Sequence, residues 1–217
     1  MSEFDITRII ATFLALLVAI IGHEIMHGWV AFKHGDNTAK NQGRLSINPI
    51  SHIDPIGSLL LPAVLFLTGA PFVLGWAKPV PVNMTIVTQN KGTRGALEVI
   101  LAGVSYNFAL AFAFALLLGF FGKPENLITF FLIQFFIQSI IINVILGVFN
   151  LWPIPPLDGS QALRYIALHQ RWHQVVATLD KIYPYGMFII LGVLLFAPLR
   201  DIMFSPVWMI LSKLLPS

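Results

Sequence analysis

The sequence predicts an all-α polytopic membrane protein, with about four transmembrane helices. Three observations predict it. Of 217 residues, 57% are hydrophobic and 11% charged, with mean hydropathy +0.81, whereas a soluble domain carries about 25% charged residues. Apolar segments at 7–31, 95–121, 127–151 and 184–199 are long enough to approach or exceed a bilayer crossing. No polar stretch is large enough for a soluble domain, so residues 1–217 read as a single membrane-embedded unit. The first apolar segment is too long for a cleavable signal peptide and lacks a small-residue cleavage site.

The elements follow in order. From Ile6 to Phe32 the chain is apolar or small, apart from Thr7, Arg8 and Thr12 and the cluster His23-Glu24-Ile25-Met26-His27. Residues 36–49 are rich in turn formers, and the alternation at Leu45 and Ile47 predicts a short β-hairpin at the membrane surface. The apolar stretch 56–76 holds Gly57, Pro62, Gly69, Pro71 and Gly75, which predicts a re-entrant or broken segment. Helices over 95–121 and 127–151 follow. The polar region 157–182 predicts an exposed amphipathic helix, 184–199 a last span, and 205–217 a short interfacial tail.

Charge orders these elements across the bilayer. Nine of the thirteen basic residues, those from Lys33 to Lys181 other than Lys123, share one side if 56–76 dips into the membrane without crossing. The formal net charge of +3 therefore reads as topology, and no nucleic-acid partner is expected.

Ionisable groups inside a membrane segment mark function by default. On a helix, residues four apart share a face, so the imidazoles of His23 and His27 can hold one cation and leave Glu24 beside it. The chain has no cysteine, so a third ligand must come from His, Asp or Glu. The candidate is Asp158, which follows Pro153, Pro155 and Pro156 and precedes Gly159. A helix broken at membrane depth lines a cavity with freed backbone groups. The competing reading makes Asp158 an N-cap and Gly159 a turn residue. His169 and His173 are also spaced i, i+4, but they lack a glutamate between them and lie in polar sequence. His34 and His52 read as loop and turn residues.

Taken together, these residues resemble the site-2 protease family of intramembrane metalloproteases. That family joins His-Glu-x-x-His to a later Asn-x-x-Pro-x-x-x-x-Asp-Gly motif, matched here by Asn150, Pro153, Asp158 and Gly159. The short form, without a PDZ-like or CBS-like insertion, is the best match. The resemblance implies one Zn2+ per chain bound by His23, His27 and Asp158, with Glu24 as the catalytic general base. It places Asn150 on the substrate, while the alternative for Asn150 is interhelical bonding or helix-end capping. Leu101–Asn107 resembles a further family pattern in which Val104 stands where a proline is usual. Gly103 reads there as a packing residue and Asn107 as a buried one, and Asn143 reads likewise.

The implied activity is endopeptidase cleavage within or near transmembrane segments of membrane proteins, in a bacterial or archaeal plasma membrane. Either the hairpin or the stretch 56–82 would offer a strand edge to the unwound substrate. The alternative is a metal-ion transporter or metal-sensing membrane protein using the same ligands. Against it, the segments 127–151 and 184–199 contain no acid and no histidine, which leaves no ion relay.

Overall fold

The computed structural model describes residues 2–69 and 75–215. These form helices α1 (Glu3–Lys33), α2 (Thr38–Asn41), α3 (Leu61–Leu67), α4 (Met84–Ile100), α5 (Ala102–Leu118), α6 (Leu127–Asn150), α7 (Asp158–His169), α8 (His173–Ile182), α9 (Gly186–Leu195) and α10 (Ala197–Leu214).

Helix α1 starts at a capping box between Ser2 and Asp5, which satisfies two of its free amides. Its core-facing ridge repeats every four residues. Ala11, Ala15, Ala19 and Ala31 are fully buried, and His23 continues the same row. Small side chains on one ridge let neighbouring helices approach closely, so α5 and α6 pack against α1. A Cβ on Gly22 would lie 2.2 Å from the Tyr106 ring. One core runs through Ala111 and Leu118 of α5, Ile140, Val144 and Val148 of α6, and Val207 and Leu211 of α10.

Three continuous helical runs, α1, α6 and His173–Leu195, are long and apolar enough to cross a bilayer. Helices α4 and α5, bent by 42° at Leu101, make a fourth if they form one span. Large apolar side chains face outward, with Phe13 58%, Phe112 57% and Phe188 73% exposed. Water would not tolerate so wide an apolar exterior, whereas lipid does. The chain is a multi-pass membrane protein.

The structure corrects several expectations. There is no β-hairpin at 36–49, and the described residues contain no strand. Asp36 instead accepts bonds from the amide and hydroxyl of Thr38, the first residue of the short helix α2. The same buried carboxylate accepts the Asn83 amide at 2.6 Å, tying this loop to the start of α4. The helical stretch expected from residue 95 begins at Met84, as α4, and is interrupted at Gly92, where φ is 62°. Region 157–182 is two helices, divided where Arg171 takes φ 61°. The tail helix starts at Ala197, and its apolar i, i+4 row Met203, Val207, Leu211 is buried.

Residues 70–74 of the broken segment lie outside the described residues, as do 216–217 of the tail. The flanks of the broken segment meet. Trp76 donates its amide to the Gly57 carbonyl at 3.2 Å, and the Ser58 hydroxyl donates to the Trp76 carbonyl at 2.8 Å. The chain thus returns at Trp76 to where it left.

Candidate metal centre

His23 and His27 lie in the last third of α1, on the ridge already buried against α5. His27 stands six residues before Lys33, about 9 Å from the helix end. The site is therefore near one end of the bundle, beside the loops that follow α1.

Each imidazole is oriented by its second nitrogen. His27 Nδ1 lies 2.8 Å from the Val99 carbonyl, and His23 Nδ1 lies 2.7 Å from Asn107 Oδ1. Both partners are acceptors, so both Nδ1 atoms carry the proton and both Nε2 atoms present a lone pair. The two Nε2 atoms converge to 3.1 Å.

Asp158 closes the triangle. Its Oδ2 lies 3.3 Å from His23 Nε2 and 3.5 Å from His27 Nε2. The cap position of α7 is Leu157, with no side-chain capping bond, so the N-cap reading of Asp158 fails. Gly159 makes this approach possible. A Cβ there would sit 2.0 Å from the Leu151 carbonyl oxygen and 2.7 Å from that of Trp152. The turn after α6 thus rests directly on the start of α7. Gly159→Ala is expected to displace Asp158 and to lower metal affinity and melting temperature together, measured by chelator competition and a thermal melt.

Three acceptor atoms pointing at one another are unstable alone. Asp158 Oδ2 is buried without a hydrogen-bond partner, and an uncompensated buried carboxylate costs several kcal/mol. A cation at the common point satisfies all three atoms. Nitrogen and oxygen ligands ~2.0–2.1 Å from zinc at tetrahedral angles stand roughly 3.3–3.4 Å apart. The observed edges of 3.1, 3.3 and 3.5 Å fit that spacing. Among the described residues this is the one group of three or more His, Cys, Asp or Glu placed to hold a metal ion.

The triad lines a cavity of about 650 Å³, shared with Glu24, Val80 and Asn150. Glu24 Oε2 accepts the Val80 amide at 2.9 Å. Asn150 donates to the Leu146 carbonyl of its own helix at 3.1 Å, so it shares the cavity but makes no bond to the three ligands.

The other histidines stay apart. His169 and His173 are exposed, His34 meets Glu98 at 2.8 Å, and buried His52 faces the Ser46 carbonyl at 2.7 Å. Gly103 carries more than helix packing. A Cβ on it would lie 2.6 Å from His23 Nδ1, His23 Cε1 and His27 Nε2, so the imidazoles fit only over a glycine.

Comparison with known proteins identifies a family and several relatives. The profile of peptidase family M50 matches residues 123–194, which include Asn150 and Asp158. The Putative zinc metalloprotease YwhC of Bacillus subtilis is 41% identical over 154 residues, 69% of this chain and 66% of the relative. The Putative zinc metalloprotease MJ0611 of Methanocaldococcus jannaschii is 32% identical over 164 residues, 75% of this chain and 74% of the relative. The Putative zinc metalloprotease Rip2 of Mycolicibacterium smegmatis is 33% identical over 152 residues, 68% of this chain and 53% of the relative. The chain thus spans from about half to three quarters of the length of these relatives. No solved structure matches it.

Proposed function

Given that the chain belongs to peptidase family M50, the site-2 protease family, we propose that it is an intramembrane zinc endopeptidase acting on transmembrane protein substrates. The convergence of His23, His27 and Asp158 on one point carries this reading. One Zn2+ per chain would be held there, in one membrane-embedded unit over residues 1–217 of a plasma membrane. The donor set of two imidazoles and one carboxylate suits zinc and leaves a fourth position open.

When bound, the ion supplies an acidified water and polarises the scissile carbonyl. The protein's own groups do the rest. Glu24, beside the first ligand, takes the proton from the attacking water and returns it to the leaving amine. Asn150, on the same cavity wall, is assigned to the substrate backbone. The packed helices restrict bulk water around these groups.

A helical substrate must unwind before it can be cut, and its freed backbone then needs partners. With the hairpin gone, the segment 75–83 takes the strand-edge role. Pro79 and Pro81 hold it extended. One edge is already used: the Lys78 amide donates to the His52 carbonyl, Arg44 donates to the Lys78 carbonyl, and the Val80 amide reaches Glu24. In an extended strand, alternate residues turn their polar groups to opposite edges. The other edge holds the Ala77 amide and the carbonyls of Ala77, Pro79 and Pro81, which have no hydrogen bond among the described residues. That edge suits main-chain pairing with substrate. The meeting of Gly57 and Ser58 with Trp76 further supports a segment that enters the membrane and returns on one side.

Ala77→Pro removes the Ala77 N–H from the open edge. Cleavage of a membrane substrate is expected to fall while zinc content stays at the native level. Native turnover in that variant would count against strand pairing. Glu24→Gln tests the activity itself, as developed below.

A further inference from the structure

We infer that Asn107 and Asn143 form a positioning relay that fixes the metal-binding tautomer of His23. The inference rests on the metal reading of the site. It begins at a group that cannot turn round, the backbone carbonyl of Ser139. Asn143 Nδ2 donates to that carbonyl at 2.8 Å, so Asn143 Oδ1 faces away and accepts. Asn107 Nδ2 donates to it at 2.8 Å and to the Ala19 carbonyl at 3.2 Å. Both Asn107 amide protons are then committed, and its Oδ1 faces His23 Nδ1 at 2.7 Å.

Each link determines the next. Turning Asn107 over would set its oxygen against Asn143 Oδ1 and the Ala19 carbonyl, two acceptor pairs in an apolar interior. Asn107, Asn143 and Ser139 are each 0% exposed, so water cannot take over a broken link. The His23 proton therefore stays on Nδ1, and the Nε2 lone pair stays on the Asp158 side. The relay crosses from α6 through α5 to α1 and reads the orientation of all three helices into one ligand.

His27 receives the same instruction more directly, from the Val99 carbonyl. Simple interhelical bonding would explain why asparagines are buried here, but not why every donor and acceptor points one way along the chain. Outer partners of metal-binding histidines fix the tautomer and raise ligand basicity.

The test is zinc affinity of the full chain in detergent micelles, from competition with a chelator, beside the melting temperature of the zinc-free protein. Asn107→Leu removes the acceptor and is expected to weaken zinc binding about 10–100-fold. Asn107→Asp keeps an oxygen acceptor for His23 Nδ1 and is expected to bind zinc more tightly than Asn107→Leu. Asn143→Leu keeps Asn107 but frees it to turn, and is expected to weaken zinc to a smaller extent. A purely structural role would lower the melting temperature of the leucine variants without changing zinc affinity.

Native affinity in either leucine variant overturns the relay, as does an Asn107→Asp protein as weak as Asn107→Leu. A native chain that takes up no zinc removes the metal reading beneath it, which distinguishes the two failures.

Discussion

Replacing Glu24 with glutamine is expected to reduce cleavage of a membrane substrate by about 10²–10⁴-fold, the usual contribution of a general base. Zinc content should stay at the native level, because Glu24 is outside the triangle made by His23, His27 and Asp158. The glutamine keeps an oxygen that can accept the Val80 amide, as Glu24 Oε2 does at 2.9 Å. The loss would then report the missing base rather than a displaced loop. The comparison is made with detergent-purified native and variant protein, measuring cleavage and metal content on the same samples. A transporter or metal sensor built on the same ligands would keep its function after this change. A glutamine variant that still cleaves at the native rate would remove Glu24 from the chemistry.

Gly103→Ala is expected to have the second largest effect, and it acts without touching a ligand. The added methyl would need to occupy a point 2.6 Å from atoms of both imidazoles. Neither ring can withdraw freely. His23 is held by Asn107 and His27 by the Val99 carbonyl. Overpacking a tight interior costs about 1–3 kcal/mol, so if the rings absorb the displacement, zinc affinity should fall roughly 5- to 150-fold. Chelator competition reads this directly. Native affinity in the alanine variant would mean that the rings do not rest on α5 as described.

Much of this arrangement was legible in the residues. His23 and His27 announce a metal pair because imidazoles four apart on a helix must share a face, and a membrane segment makes them conspicuous. Asp158 is legible only with help from the prolines before it and Gly159 after it. The bond from His23 to Asn107 Oδ1 is not legible, since a buried asparagine in an apolar helix looks the same whether it joins helices or orients a ligand. Residue spacing within α5 places Gly103 and Asn107 one turn apart on the same helix, and that is the available hint.

The hairpin expected at 36–49 fails for a local reason. Alternation over Leu45 and Ile47 is too brief to outweigh Asp36, whose carboxylate accepts the Thr38 amide and anchors Asn83. The short tail expected from residue 205 belongs to a longer helix that starts at Ala197 and runs through Pro206. Its buried row at Met203, Val207 and Leu211 packs well enough to carry the helix through the proline. The strand edge at 75–83 shows the opposite case. Its prolines mark an extended segment in the sequence, but only folding reveals which of its two edges is already occupied.

X-ray absorption at the zinc edge of the purified native chain examines the ligand set without a substrate. One ion per protein, with two imidazole nitrogens and light oxygen donors at ~2.0–2.1 Å, is the expected spectrum, and His23→Ala or Asp158→Ala should each change it. A native sample that retains no zinc, or whose spectrum lacks the paired imidazoles, would contradict the site at its foundation.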